Sequence, residues 1–134
     1  MKNKFILLIV DDDPDDRELF IESAKEVDEN IVCITAGDGL EALSILKNEE
    51  NQLPDYIFLD LRMPRFDGRK CLKEIRNDPR LLSIPVIIYT TSRQVEDAIE
   101  LKKMGAVHFI SKPVDPEEIF YLISSVIGEK WDHL

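Results

Sequence analysis

The chain has 134 residues, 44% of them apolar, with 27 acidic and 17 basic side chains and a formal net charge of -10. That length suits one well-cored domain rather than two, and the apolar share is too high for a disordered segment. The negative balance disfavours nonspecific binding to nucleic acid or to an anionic membrane, and leaves protein partners or cations.

No apolar run reaches membrane-spanning length. The opening MKNKFILLIVDDD passes straight from apolar residues into carboxylates, with no small-residue cleavage site, so it reads as a first strand and points to a cytoplasmic protein. That strand covers Lys4 to Val10, nearly continuous in apolar residues, as in a strand buried on both faces. Asp15 to Val27 then brings Leu19, Phe20, Ser23, Ala24 and Val27 at helical spacing. Ile31 to Ala36 is a second strand containing Cys33, and Gly39 to Lys47 a helix with Leu40, Leu43 and Leu46. Leu53-Pro54 breaks the chain before the third strand, Tyr56 to Leu59. Gly68 to Arg76 is helical, contains Cys71, and is closed by Asn77-Asp78-Pro79. The two cysteines have no framework spacing and no evident histidine partner, so they read as reduced thiols without catalytic duty. Pro85 introduces the fourth strand, Val86 to Tyr89; Gln94 to Met104 is a helix stopped by Gly105; His108 to Ile110 is a short fifth strand. Pro116 fits the first turn of a last helix capped by Asp115, with Ile119, Leu122, Ile123 and Val126 turned inward. Gly128 to Leu134, with Trp131, reads as a frayed tail.

Strand and helix thus alternate five times, which predicts an α/β fold: a five-stranded parallel sheet with helices on both faces. Ligands of such sheets bind beyond the carboxyl ends of the strands, where the strand order reverses. At that edge the first strand ends in Asp11, Asp12 and Asp13, the third in Asp60, the fourth in Thr90, Thr91 and Ser92, and the fifth in Ser111, Lys112 and Pro113. Taken singly, each has an ordinary reading: strand-end aspartates cap helices or turns, Thr90 bonds to backbone, and Lys112 is solvated. Together they converge three or more carboxylates, a hydroxyl and an ammonium. Clustered carboxylates repel unless a cation sits among them, and a hard divalent ion such as Mg²⁺ suits an all-oxygen set. Pro14 and the missing glycine and glutamate argue against an EF-hand loop, and no P-loop or dinucleotide fingerprint follows the first strand. His108 starts a strand and His133 lies in the tail, so zinc is not expected.

The combination of LIVDDD, FLDLRMPRFDG, IIYTTS and HFISKP, spread over Lys4 to Ile127, resembles the receiver domain of two-component response regulators in its single-domain form, typified by the bacterial chemotaxis response regulator. The resemblance implies a (βα)5 flavodoxin-like receiver fold for residues 1–134 as a whole. It implies that Asp60 accepts a phosphoryl group from a sensor histidine kinase or a histidine phosphotransfer protein. Asp11 and Asp12, with Asp60 and the backbone carbonyl of Arg62, would bind Mg²⁺, for which Mn²⁺ can substitute. Thr90 and Lys112 would hold the phosphoryl oxygens, and Phe109 would be a switch aromatic moving with Thr90. Arg62 and Ser92 occupy the two positions that tune dephosphorylation, Asp13 is a spare carboxylate, and Tyr89 is either exposed near the switch face or simply a β-favouring ring. With no DNA-binding or enzymatic segment after Ile127, output would pass to a protein partner or along a relay, and two copies could pair through the last two helices. Such a protein catalyses its own phosphorylation and dephosphorylation while serving as a switch.

Two other readings remain. A haloacid-dehalogenase-like phosphatase also combines a strand-end Asp with a hydroxyl, a lysine and Mg²⁺, and Asp11 and Asp13 match its spacing, but it leaves Asp60 unexplained. A receiver-like adaptor that is never phosphorylated would keep the same residues and respond to no phosphodonor.

Overall fold

The computed structural model describes residues 5–63 and 66–128. The expected strand start at Lys4, the turn residue Pro64, and Trp131 and His133 of the tail lie outside the described residues.

Five parallel strands form one sheet: β1 (Ile6–Val10), β2 (Val32–Ala36), β3 (Tyr56–Leu59), β4 (Val86–Thr90) and β5 (His108–Ser111). Between and after them run α1 (Pro14–Val27), α2 (Gly39–Lys47), α3 (Gly68–Arg76), a 3-10 turn (Pro79–Leu81), α4 (Val95–Lys103) and α5 (Glu117–Gly128). The strand order is β2-β1-β3-β4-β5. The chain therefore builds outward from β1 in one direction and from β3 in the other, and the crevice lies between those two strands.

Alternation along the strands explains why their sequences are continuously apolar. Leu8, Val10, Ile57, Leu59, Val86 and Ile88 point into one layer, filled by Ala42, Leu43 and Leu46 of α2, Cys71, Leu72 and Ile75 of α3, and Leu101 of α4. Leu7, Ile9, Tyr56, Phe58, Ile87 and Tyr89 point into the other, filled by Phe20 and Ala24 of α1 and Ile119, Ile123 and Val126 of α5. A central strand covered on both faces has no polar position to spare. Tyr89 belongs to this second core, with its ring 5.7 Å from that of Phe20, and it is buried. It is not an exposed residue of the switch face.

Several boundaries move slightly from those expected. α1 begins at Pro14 because Asp13 caps it, its carboxylate accepting from the backbone N–H groups of Asp15 and Asp16. β4 runs on to Thr90 and β5 to Ser111, because their backbones pair (Thr90 with Ser111) regardless of side-chain polarity. Leu19 and Leu40, named with the apolar residues of α1 and α2, are exposed. Asp115 does act at the start of α5, accepting from Glu117 N at 3.0 Å. Cys33 and Cys71 are both free thiols. Among the described residues no helix is long and apolar enough to cross a membrane.

At the opposite edge of the sheet from the crevice, Arg76 gathers loose backbone. Its guanidinium donates to the carbonyls of Gly105 (3.1 Å), Leu81 (3.3 Å), Leu82 (3.3 Å) and Ile84 (2.7 Å). Gly105 has a φ of 109°, a left-handed conformation that favours glycine and ends α4.

Candidate functional site

Register places the first two carboxylates. Val10 of β1 is opposite Leu59 of β3, so the next residues, Asp11 and Asp60, leave the sheet side by side. Their backbones are fastened there: Asp60 N donates to Val10 O at 2.9 Å, and Asp11 N to Ala36 O at 3.0 Å. Both side chains are buried, with relative exposures of 2% for Asp11 and 6% for Asp60, while Asp12 is open to solvent. One carboxylate oxygen from each of Asp11, Asp12 and Asp60 can be chosen such that all lie within 4.8 Å of one another. An all-oxygen set of this size and charge fits a hard divalent ion of the Mg²⁺ or Mn²⁺ type.

Asp60 is not a capping residue. Asp13, Asp38 and Asp67 cap α1, α2 and α3, so the helix after β3 has its own cap seven residues beyond Asp60. The turn between them folds back tightly enough that a Cβ on Gly68 would lie 2.5 Å from Asp60 O and 2.8 Å from Leu61 Cα. Only glycine permits that approach of α3 to the Asp60 backbone.

Lys112 supplies the positive charge. Its backbone N–H donates to Thr90 O at 2.7 Å, which extends the β4–β5 pairing by one residue and aims the side chain across the crevice. Its Nζ lies 2.6 Å from Asp11 Oδ2, 2.8 Å from Asp16 Oδ2 and 3.4 Å from Asp60 Oδ2, and 5.8 Å from the centre of the Tyr89 ring. Burial alone would lower the Lys112 pKa, but hydrogen bonds to Asp11 and Asp16 outweigh it and hold the ammonium above its ordinary range. Burial raises the Asp11 pKa, opposed by its hydrogen bonds from Lys112 and from the Asp13 backbone.

The remaining expected residues are distributed more widely. Thr90 is fully buried at the end of β4, and its hydroxyl accepts from Ser92 N at 3.5 Å. Arg62 directs its backbone N–H to Asp60 Oδ1 at 3.4 Å, and its side chain is exposed. Phe109 is half-buried and packs with the layer containing Leu101 and Ala106, so it does not meet the carboxylate cluster directly. Asp13 is occupied at the α1 N-terminus, which removes it from the acid–base position that a phosphatase reading needs.

Two features were not foreseen. Asp16, in the first turn of α1, shares Lys112 with Asp11. In addition, Ser92 Oγ donates to Asp97 Oδ2 at 2.7 Å, while Arg69 of α3 bonds Asp97 at 2.7 Å and Glu100 at 2.6 Å, linking the β4–α4 loop to both helices. Nothing in linear spacing connects residues 16 and 112 or 69 and 97. Their only signal is an unusually acidic first turn in α1 and an i, i+3 acidic pair, Asp97 and Glu100, in α4.

A family model described as the response regulator receiver domain matches residues 7–124. The chain belongs to the response regulator receiver family. Response regulator Rcp1 of Synechocystis sp. is 30% identical to this receiver over 125 residues, 90% of this chain and 85% of that protein. The crystal structure of the Mn(2+)-bound form of response regulator Rcp1 matches with a TM-score of 0.82 at 30% identity, over 91% of each chain. The phosphorylated cyanobacterial phytochrome response regulator RcpA matches with a TM-score of 0.84 at 28% identity, over 92% of this receiver and 91% of that chain. The flavodoxin-like receiver fold expected from the motifs is thereby established, and membership of the family carries with it a part in phosphorylation-dependent signalling.

Proposed function

We propose that this chain is a receiver switch in which Asp60 accepts a phosphoryl group from a sensor histidine kinase or phosphotransfer protein in the cytoplasm. The observation that carries this reading is the meeting of the Lys112 ammonium with Asp11 and Asp60 beside three mutually close carboxylate oxygens. Asp60 Oδ attacks phosphorus, the bond from phosphorus to the donor's imidazole nitrogen breaks, and its electron pair leaves with the imidazole. Asp11, Asp12 and Asp60, with the Arg62 carbonyl, would hold Mg²⁺, which when bound neutralises negative charge on the phosphoryl oxygens. Lys112 and Thr90 then bind those oxygens, with the Lys112 backbone already fixed by its bond to Thr90 O.

The acyl phosphate adds more than one unit of negative charge to Asp60. That charge draws the Thr90 hydroxyl inward, and Phe109 turns into the space Thr90 vacates. The outer face of α4, β5 and α5 changes with it, where Val95 is 67% and Ile99 52% exposed and available to a protein partner. Arg62 and Ser92 flank the path of the hydrolytic water and set the lifetime of the acyl phosphate.

The test is intact-mass spectrometry of the purified chain incubated with Mg²⁺ and a small acyl-phosphate donor, beside Asp60→Asn and an EDTA control. One phosphoryl adduct that requires both Mg²⁺ and Asp60 is the expected result. A folded protein that never acquires an adduct is an adaptor, and this reading is then wrong.

A further inference from the structure

Lys112 stands closer to Asp16 than to Asp60, although Asp16 has no part in the site as the family motifs define it. An acidic residue in the first turn of a helix is ordinarily explained by the helix dipole. That explanation covers Asp15 and Asp16 equally, yet Asp16 is the one bonded to an ammonium whose side chain is only 10% exposed. The bond joins residues 96 positions apart, tying the first turn of α1 to the segment between β5 and α5.

We propose that Asp16 is a positioning residue that receives the Lys112 ammonium when a divalent cation takes Asp11. The inference rests on the reading of Asp11, Asp12 and Asp60 as the cation site. Asp11 Oδ2 is occupied by Lys112 at 2.6 Å, and Asp11 Oδ1 accepts from Asp13 N at 2.9 Å. A cation bound by Asp11 and the Lys112 ammonium are like charges competing for one carboxylate. The ammonium must give up at least part of its bond to Asp11, and a buried ammonium left without a partner is costly. Asp60 is also a member of the cation site, so it does not offer an independent acceptor. Asp16 lies outside that group of three, already touches Nζ, and has a side chain 32% exposed, so it can turn with the ammonium as Lys112 leaves Asp11. Lys112 can then exchange Asp11 for the cation without leaving the crevice, and remains within reach of whatever group Asp60 carries.

The test is isothermal titration calorimetry of the full chain with Mg²⁺ alone, no phosphodonor being present. Asp16→Asn is expected to weaken Mg²⁺ binding by about fivefold or more, the lower end of ordinary coupling between two sites. Asp15→Asn, which removes a charge from the same helix turn without touching Lys112, gauges the general electrostatic loss and should weaken binding less than twofold, by about one surface-charge interaction. Asp16→Glu should recover most of the affinity. In a Lys112→Met background, Asp16→Asn should do no more than Asp15→Asn does, because the double-mutant cycle removes the residue through which Asp16 acts. Equal losses from Asp16→Asn with and without Lys112 would overturn the inference, as would wild-type affinity in Asp16→Asn. If the wild-type chain itself binds no Mg²⁺, the cation-site reading fails and the inference falls with it; wild-type binding that Asp16→Asn leaves untouched overturns the inference alone.

Discussion

Lys112 shows how much of the crevice depends on one side chain. It is the counter-charge of two buried carboxylates, Asp11 and Asp60, and removing one member of a buried ion pair leaves the others uncompensated. Lys112→Met should therefore destabilise the metal-free protein by about 3 kcal/mol. Mg²⁺ should recover a large part of that loss, since a cation among the same oxygens restores the balance of charge. Urea unfolding of both proteins with EDTA and with Mg²⁺ measures this directly; a deficit that Mg²⁺ does not reduce contradicts it. Asp11, Asp60 and Lys112 could be read from the sequence because each directly follows a strand, where parallel topology has only one edge to offer. Asp16 could not, because its partner is brought to it by the packing of α1 beside α5 rather than by any local pattern.

At the scale of elements, α4 differs from the three helices before it. Asp13, Asp38 and Asp67 cap α1, α2 and α3, whereas Gln94 at the head of α4 makes no side-chain capping bond. What holds its first turn is Asp97, bonded to Ser92 from the loop and to Arg69 from α3. The bond from Ser92, and then Arg69, keeps the Asp97 carboxyl below its ordinary range. Asp97→Ala should leave the sheet intact and raise amide exchange several-fold in the first turn of α4 and the β4–α4 loop, by the loss of local protection. Unchanged exchange there would show that the network does not restrain the helix. Arg76 acts on a different set of elements, holding the 3-10 turn and the end of α4 by four carbonyl contacts. Arg76→Ala should cost about 3 kcal/mol, as expected when charge-assisted bonds to partly buried carbonyls are lost together. Thermal or urea unfolding checks it, and a loss within experimental error would contradict it. The elements themselves were legible because burial on both faces writes continuous apolar strands. Their ends were less so: Thr90 looked like the start of a loop and is strand, and Asp13 looked like a spare carboxylate and is a cap. Backbone pairing and capping are satisfied without an apolar signature.

Across the whole molecule, packing of the helices on the sheet takes both thiols out of water, Cys33 of β2 partly and Cys71 of α3 fully. Burial pushes the Cys33 pKa up to about 11 and that of Cys71 up to about 12, from an ordinary value of 9.0. Both groups are thus held protonated in the folded state at pH values where an unfolded chain would ionise them. Their contribution to stability is fully present below pH 9.0 and is lost as the pH rises through the folded values of about 11 and 12. At pH 8.5, roughly a quarter to a half of an ordinary thiol is ionised. The native protein should therefore be alkylated by iodoacetamide far more slowly than the urea-unfolded chain, with Cys71 the slower of the two. Equal rates, measured by mass spectrometry, would mean that the core around α3 opens readily. The fold class was visible at this scale from five alternations of strand and helix, whereas the position of Tyr89 was not. A tyrosine beside the crevice suits a surface or a core equally until Phe20 and Phe58 are known to meet it.

On the proposed function, the carboxylate of Asp60, rather than one of its neighbours, carries the phosphoryl group. Borohydride reduces an aspartyl phosphate to homoserine and leaves free aspartate unchanged, so treatment of the phosphodonor-loaded protein followed by peptide sequencing reads the position directly. Homoserine at residue 60, absent when Mg²⁺ is withheld, is expected. Homoserine at residue 11 or 12, with residue 60 intact, would contradict it.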